Sequence, residues 1–392
     1  MYAEQREPEF GWTDEHRGLR ETVRRVLADW APVARARELA EAGERHDPAL
    51  WSELAEQVGL QGLALPERHG GFGGTLLDLA IVVEEMGRVL HGGPFLPTVG
   101  LAAPVLLAAD GGEEAQDGGP AAEYLPRIAD GSLTAALAVE AWGPSGEPVV
   151  TTTADAAGRL TGTVPVVLDG GDADLLVVAA RGPGGPAPYL VEAGAAGLTR
   201  TPLETLDLTR RAARITLDGT PSRALGDPAR GAAVLARARA VSSVLVSAEQ
   251  VGGMTAATDL TAEYARTRRQ FGRLIGSFQG VKHRLADMAV RQEMAHSAAY
   301  WAAWQEPGTP EFAQATTIAR SYCGDAFLQT GLDAIQLHGG IGFTWEHDAH
   351  LYLRRARADR ALLGSPQLAR AELVPALVPT VPARTTTEGI SA

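Results

Sequence analysis

The apolar residues of this chain change their period twice, and that change limits the folds open to it more than any single motif does. Up to about residue 130 they recur at helical spacing. In "TDEHRGLRETVRRVLADW" a Thr or Asp cap precedes Leu19, Val23 and Leu27, and "LWSELAEQVGLQGLALP" and "TLLDLAIVVEEMGRVL" repeat the pattern. From about 131 to 225 the helical period is gone. Short runs such as "VPVVLDGG", "DLLVVAAR", "APYLVEA" and "ARITLDG", broken by Gly, Pro and Asp, are the signature of antiparallel strands in a barrel or sandwich. From about 226 the helical pattern returns in longer stretches, 228 to 268, 274 to 304, 310 to 337 and 346 to 361, whose short connections predict a four-helix bundle. The expected fold class is therefore α+β in three parts: an all-α domain over 1–130, a β domain over 131–225 and a helical bundle over 226–380. The Pro/Thr-rich tail, 381–392, is expected to be mobile.

Composition narrows the function classes. With 45% hydrophobic and 21% charged residues the chain has the make-up of a globular protein, and no uninterrupted apolar run of about eighteen residues marks a membrane span. The opening "MYAEQREPEF" has neither a basic start nor an apolar stretch, so a cytoplasmic protein without membrane insertion is expected. A formal charge of -13 disfavours binding to nucleic acid. The single cysteine, Cys323, excludes an internal disulfide and a thiolate metal cluster, and inside "IARSYCGDAF" it reads as core. Nearly all basic residues are arginine, Lys282 being the only lysine, so an arginine outside a motif carries little information.

Glycine-rich stretches raise the question of a phosphate-bearing ligand. "ERHGGFGG" does not open a helix behind a strand at dinucleotide spacing, and a Rossmann site is not expected from it. "EYARTRRQFGRLIGSFQGVKHRLADM" and "AIQLHGGIGFTWEHDAHLYLRRA" say more: they resemble the two most recognisable segments of the acyl-CoA dehydrogenase family. "LWSELAEQVGLQGLALPERHGGFGG" and "VVEEMGRVLHGGPFLP" resemble that family's N-terminal domain, so the resemblance covers nearly the whole chain. It implies a flavoenzyme that removes a hydrogen from each of the α and β carbons of an acyl-CoA or carrier-bound thioester. A glutamate takes the α proton, FAD accepts hydride from the β carbon, and the electrons pass to an acceptor such as an electron-transfer flavoprotein. A hydrogen-bonded thioester carbonyl acidifies the α carbon, and a desolvated carboxylate is the stronger base.

The resemblance also assigns residues. Arg268, Gln270 and Phe271 in "RRQFG", and Gln336, Gly339 and Gly340 in "QLHGG", match segments that in the family lie against the dinucleotide of a neighbouring subunit's FAD. An arginine fork suits a pyrophosphate, and glycine lets a backbone approach with no Cβ in the way. The flavin end departs from the family: in "AVEAWGPSGEP" Glu140 is kept, Val139 stands where a ring-contacting Thr is expected, and "VPVVLDGG" replaces a Trp-Ile-Thr segment. Leu363 falls at the position of the usual catalytic glutamate, with Gly364, Ser365 and Gln367 matching the residues after it, and Ser242 falls at the alternative base position. Glu249, nearly two helical turns beyond Ser242 on roughly the same face, is the remaining candidate base; the alternative is a glutamate paired with an arginine inside the bundle.

Because the dinucleotide segments need a neighbour, the resemblance implies a homotetramer or dimer. Two rival readings remain open. One is a partner subunit that completes the flavin site of a homologous mate in a heteromer, and the other is a repurposed fold with different chemistry on a specialised metabolite. His347 and His350 with Glu346 and Asp348 have a possible metal spacing, but the family holds no metal there and none is expected. Arg354, Arg355, Arg357 and Arg360 read as a cationic helix end that balances the macrodipole. "GPSGEP" lacks nucleophile-elbow spacing.

Overall fold

The computed structural model describes residues 11–42, 47–111, 119–143 and 146–377. The tail 381–392, expected to be mobile, and Ser145 of "GPSGEP" lie outside these residues.

Local signals start the N-terminal helices. Thr13 accepts a hydrogen bond from the His16 backbone N–H at 3.2 Å, while His16 Nδ1 accepts from the Thr13 N–H, a reciprocal cap that opens α1 (Asp14–Trp30). Val23 and Leu27 are buried on its inner face. After α2 (Val33–Ala42), Asp47 caps α3 (Pro48–Glu56), whose first residue is proline, and Thr75 caps α4 (Leu76–Arg88). A π-helical stretch, Leu96–Ala102, runs into α5 (Ala103–Asp110), and α6 (Pro120–Ala129) ends the helical part. In the "ERHGGFGG" loop a Cβ on Gly71 would strike the Leu65 backbone and one on Gly74 the Leu63 carbonyl, so these glycines serve a loop folded tightly on itself.

Strands begin at β1 (Ala135–Ala138), followed by β2 (Ala141–Trp142), β3 (Pro148–Val149), β4 (Thr153–Ala154), β5 (Arg159–Leu168) and β6 (Leu175–Gly182). Then come β7 (Gly185–Glu192), β8 (Leu198–Leu203), β9 (Ala212–Pro221) and β10 (Arg223–Ala224). The main sheet has the order β10-β7-β6-β4-β5-β9-β8, with β1 also on β6. Most pairs are antiparallel as expected, but β1 and β4 run parallel to β6. The run "DLLVVAAR" is apolar at every step because β6 serves two cores: Leu175, Val177 and Ala179 face the helices, and Leu176, Val178 and Ala180 face the sheet's own interior.

The C-terminal helices are α7 (Gly231–Thr267), α8 (Gln279–Ala303), α9 (Pro310–His338), α10 (Ala349–Asp359) and α11 (Pro366–Leu377). The four expected long segments are α7 to α10, and the proline-initiated α11 adds a fifth helix to the anticipated bundle. Between α7 and α8 lies a small hairpin, β11 (Arg269–Gln270) and β12 (Arg273–Leu274). By length and composition α7 is apolar enough to cross a membrane, but it is largely buried within the fold, with α4 and α9 against it. A Cβ on Gly252 would strike the Glu84 carbonyl, one on Gly87 the Glu249 carbonyl, and one on Gly253 the Phe327 ring. Gly87 and Gly252 bring the backbones of α4 and α7 into contact, which fixes the N-terminal domain on the bundle, and Gly253 makes room for a ring of α9.

Gly252→Ala is expected to cost on the order of 1–3 kcal/mol through overpacking and to lower the melting temperature by several degrees. Gly18→Ala, at an exposed helical glycine with nothing within 4 Å of the new Cβ, is expected to raise stability by up to about 1 kcal/mol. Calorimetric melts of the two variants beside the parent protein check both signs.

Candidate functional site

The two segments that the resemblance assigns to a dinucleotide meet at the outer end of α7 and α9. The Arg268 N–H donates to the Tyr264 carbonyl at 2.8 Å and turns the chain out of α7 into the β11–β12 hairpin. Phe271 and Gly272, with φ of 51° and 79°, form its turn and leave the Phe271 ring almost wholly exposed. At the end of α9, Gly339 takes φ 63°, and a Cβ on Gly339 or Gly340 would meet nothing within 4 Å. The Tyr264 and His338 rings stack with centroids 4.5 Å apart, and His347 packs on His338 at 4.3 Å, which ties the two segments together. Burial lowers the His338 pKa and outweighs its hydrogen bond to the Ala334 carbonyl, so the ring between the segments is neutral. Arg268, Gln270, Phe271, Gln336, Gly339 and Gly340 are all exposed along this edge.

The other end of the site is filled. Glu140 accepts four hydrogen bonds, from the backbone N–H and hydroxyl of both Thr151 and Thr152, at 2.7–2.9 Å. Burial pushes its pKa up, but these bonds prevail and hold it below the usual carboxylate range. Trp142, two residues on, lies under the Arg239 guanidinium, 5.2 Å from carbon to ring centroid. Arg239 is buried; its Nε donates to the Leu363 carbonyl and its Nη2 to Glu372, both at 3.0 Å. Leu363 is also buried, at φ 60°, a conformation that costs a leucine on the order of 1–2 kcal/mol. The cavity lined by Leu363, Ser243, Gln250 and Asp359 measures about 10 Å³, room for one water molecule. Ser242 is buried, and its hydroxyl has no hydrogen-bond partner among the described residues. Trp142, Arg239 and Leu363 thus pack together where the resemblance sets the flavin ring and the base.

Glu249 sits in a buried ionic network that draws on all three parts of the fold. Its Oε1 accepts from Arg210 and, at 3.1 Å, from Arg355, while Oε2 has no partner among the described residues. Arg210 also donates to Asp359 at 2.6 Å. Arg355 donates to Asp207 and to the Thr209 hydroxyl, each at 2.6 Å, and to the Leu90 carbonyl at 3.1 Å. Three carboxylates, Asp207, Glu249 and Asp359, face two guanidiniums here, which leaves one negative charge in surplus in a dry interior. Burial pushes Asp207 up, but Arg355, Arg210 and Thr209 outweigh it and bring it below the usual range. Asp359 goes the other way: burial dominates the pull of Arg210, Glu249 adds to it, and its pKa is pushed up to about 8. Asp359 is therefore the group that carries the proton matching the surplus charge.

Sequence reasoning brings Glu249, Leu363 and Ser242 forward and passes over Arg210, Asp207, Asp359 and Arg239. The signal for two of the network's residues is present. Ala349, Tyr352, Arg355, Ala356 and Asp359 recur at helical spacing and form the buried face of α10, so Arg355 and Asp359 point inward with the apolar residues. The macrodipole reading of the arginines therefore fails for Arg355, a buried counter-ion. It is incomplete for Arg360, which donates to Asp325 at 2.6 Å.

The family description "Acyl-CoA dehydrogenase, N-terminal domain" matches residues 13–132, and "Acyl-CoA dehydrogenase, C-terminal domain" matches residues 229–377. Acyl-CoA dehydrogenase IpdE2 of Mycobacterium tuberculosis is 36% identical over 364 residues, 90% of this chain and 94% of the relative. Among solved structures, a variant of the Tcur3481-Tcur3483 steroid ACAD is 33% identical with a TM-score of 0.81, covering 92% of this chain and 96% of that one. The ChsE4-ChsE5 complex from Mycobacterium tuberculosis is 28% identical with a TM-score of 0.83, covering 95% of this chain and 99% of that one.

Asp359 makes the stability of the fold depend on pH with a definite sign. Its folded pKa stands above the unfolded value of about 3.9, so from about pH 4 to pH 8 the folded state holds a proton that the unfolded state has released. Its contribution to stability therefore falls as pH rises through that window and levels off above it. Asp359→Asn removes this slope, and in melts from pH 5 to pH 8 the variant is expected to gain steadily on the parent. A variant that loses ground instead would mean that Asp359 is ionised and held by Arg210.

Proposed function

The chain belongs to the acyl-CoA dehydrogenase family and its chemistry is acyl-CoA dehydrogenation; on that premise we propose that it works within an oligomer, lending its Arg268 and Gln336 segments to an FAD seated across a subunit boundary. The observation that carries this reading is the contrast between an open, exposed dinucleotide edge and a Leu363 region filled by Arg239 and Trp142. FAD, when bound, supplies the acceptor for the hydride that leaves the β carbon of the thioester. The residues of the edge suit its dinucleotide half: the Arg268 fork for a pyrophosphate, Gly339 and Gly340 for close approach of backbone, and Gln270, Phe271 and Gln336 beside them. Trp142, Arg239 and Leu363 pack together where the resemblance sets the ring and the base.

Exposed apolar surface supports the oligomer. Val290, Met294 and Trp301 recur along one face of α8, and Phe271 and Phe343 stand out at the dinucleotide edge. A homotetramer or dimer would cover such surface, and so would a heteromer with a homologous subunit; one similar solved structure is a complex, ChsE4-ChsE5. The position of Arg239 favours the heteromer, in which the second subunit supplies the seat for the ring and the carboxylate for the α proton. Glu249, engaged by Arg210 and Arg355, acts in this reading as a counter-ion; in a homomer it is the carboxylate left to serve, through Oε2. The substrate is an acyl-CoA or carrier-bound thioester, the electrons pass to an acceptor such as an electron-transfer flavoprotein, and the protein works in the cytoplasm.

Three measurements test this. The chain produced alone is expected to hold little flavin and to gain it, with bleaching by an acyl-CoA thioester under anaerobic conditions, on co-production with a homologous subunit. Arg268→Ala in that assembly should weaken FAD binding by roughly 10–100-fold, the loss of one charge-assisted hydrogen bond. Stoichiometric flavin in the chain alone, reduced by thioester, would sink the heteromer. Glu249→Gln is expected to keep the rate of flavin reduction, and loss of that rate with flavin retained would restore Glu249 as the base.

A further inference from the structure

We infer that the space beneath α2 is a binding site for a neutral, largely apolar ligand, separate from the dinucleotide edge and from Leu363. A cavity of about 630 Å³ lies between α2, the start of α3 and the β8–β9 loop, walled by Trp30, Leu39, Leu50, Val89, Leu203 and Leu208. That volume is in the range of small-molecule pockets, which are mostly apolar with a few polar groups to orient the ligand. None of Trp142, Ser242, Leu363, Arg268 and Gln336 lines it. A second cavity of about 290 Å³, lined by Arg37, Leu208, Trp345 and Leu351, adjoins it across Leu208, which walls both.

The helix above this space is built as a cover. α2 has ten residues and none of them is buried, although Val33, Ala36, Leu39 and Ala40 share one face. A helix of that length is marginal on its own and normally owes its stability to a packed apolar face. Here Ala36, Leu39 and Ala40 line the cavity, and ion pairs hold the helix in place: Arg35 with Asp47 at 3.2 Å, and Arg37 with Asp348 on the approach to α10. A ligand in the cavity would supply the apolar contacts that the α2 face lacks.

The charges around the cavity set the ligand's class. Arg35 is matched by Asp47 and Glu38, Arg210 by Glu249 and Asp359, and Arg211 faces Asp172 at 3.8 Å. Each cation of the lining already has an acid, so a phosphate or carboxylate ligand would meet no uncompensated positive charge, and a CoA or nucleotide is disfavoured. Glu204 lines the cavity, is exposed, and has no ion pair among the described residues, which gives a ligand hydroxyl an acceptor. An apolar alcohol fits this set of walls and charges.

The test uses the full chain without added flavin, so its result stands or falls independently of the dehydrogenase reading. Nile red, a neutral dye, is expected to bind one to one, with 1-decanol displacing it at least tenfold better than decanoate or decyltrimethylammonium. Ala36→Trp, which fills the cavity, should weaken dye binding at least tenfold while the melting temperature holds or rises; Ala36→Leu gives the same trend in milder form should the tryptophan prevent folding. Dye binding that does not saturate, that both fillings leave unchanged, or that decanoate or decyltrimethylammonium displaces as well as decanol does would overturn the proposal.

Discussion

The arrangement of the three parts depends on one buried ionic network. Arg355 of α10 reaches the β domain through Asp207 and Thr209, the bundle core through Glu249, and the N-terminal domain through the Leu90 carbonyl. Arg210, from the β8–β9 loop, joins the same Glu249 and Asp359. Taking four charges and a protonated carboxyl out of water is costly, and such a cluster adds little net stability compared with well-packed apolar residues. Its effect is orientation. Removing one partner leaves the others buried and uncompensated, at about 3–5 kcal/mol, so any relative motion of the domains that breaks these pairs is penalised. The N-terminal domain and the sheet are held on the bundle at fixed angles by groups that no apolar residue could replace with the same directionality.

The charge surplus follows from that geometry. Asp207 meets Arg355, the Thr209 hydroxyl and the Thr209 backbone N–H, enough to offset its burial. Asp359 accepts from Arg210 alone, and its second oxygen has no partner among the described residues. One proton resolves the mismatch at the carboxylate least supported by donors. Arg210 also lines the cavity beneath α2, so the wall of that cavity and the centre of the bundle share a residue.

Much of the fold was legible in the sequence because apolar period is a local signal. Leu19, Val23 and Leu27 marked the inner face of α1, and the apolar run of β6 marked a strand, though not the core on each side of it. Gly339, Gly340 and Arg268 stood out only through the resemblance of their two segments to a family, and Gly339 ends α9 at φ 63°. What stayed hidden depends on distant partners. Arg355 near the end of a helix looks like a dipole-balancing charge until Asp207, 148 residues away, is placed beside it. The parallel pairing of β1 with β6 and the insertion of Arg239 under Leu363 likewise require the chain to be closed in three dimensions.

The absence of a carboxylate at Leu363 and the closing of the space around it are one structural fact. Arg239 stacks on Trp142, donates to the Leu363 carbonyl, and shares Glu372 with Arg320, with Glu147 also near its charge. A carboxylate introduced beside the Arg239 guanidinium would form an ion pair, which lowers its basicity, whereas a base for an α proton needs desolvation without a cation. The change at Leu363 is therefore one of several side chains together, not of a single position. Arg239 joins Trp142 to Leu363 in the interior, whereas Arg268, Gln336, Gly339 and Gly340 stay exposed at the end of α7 and α9.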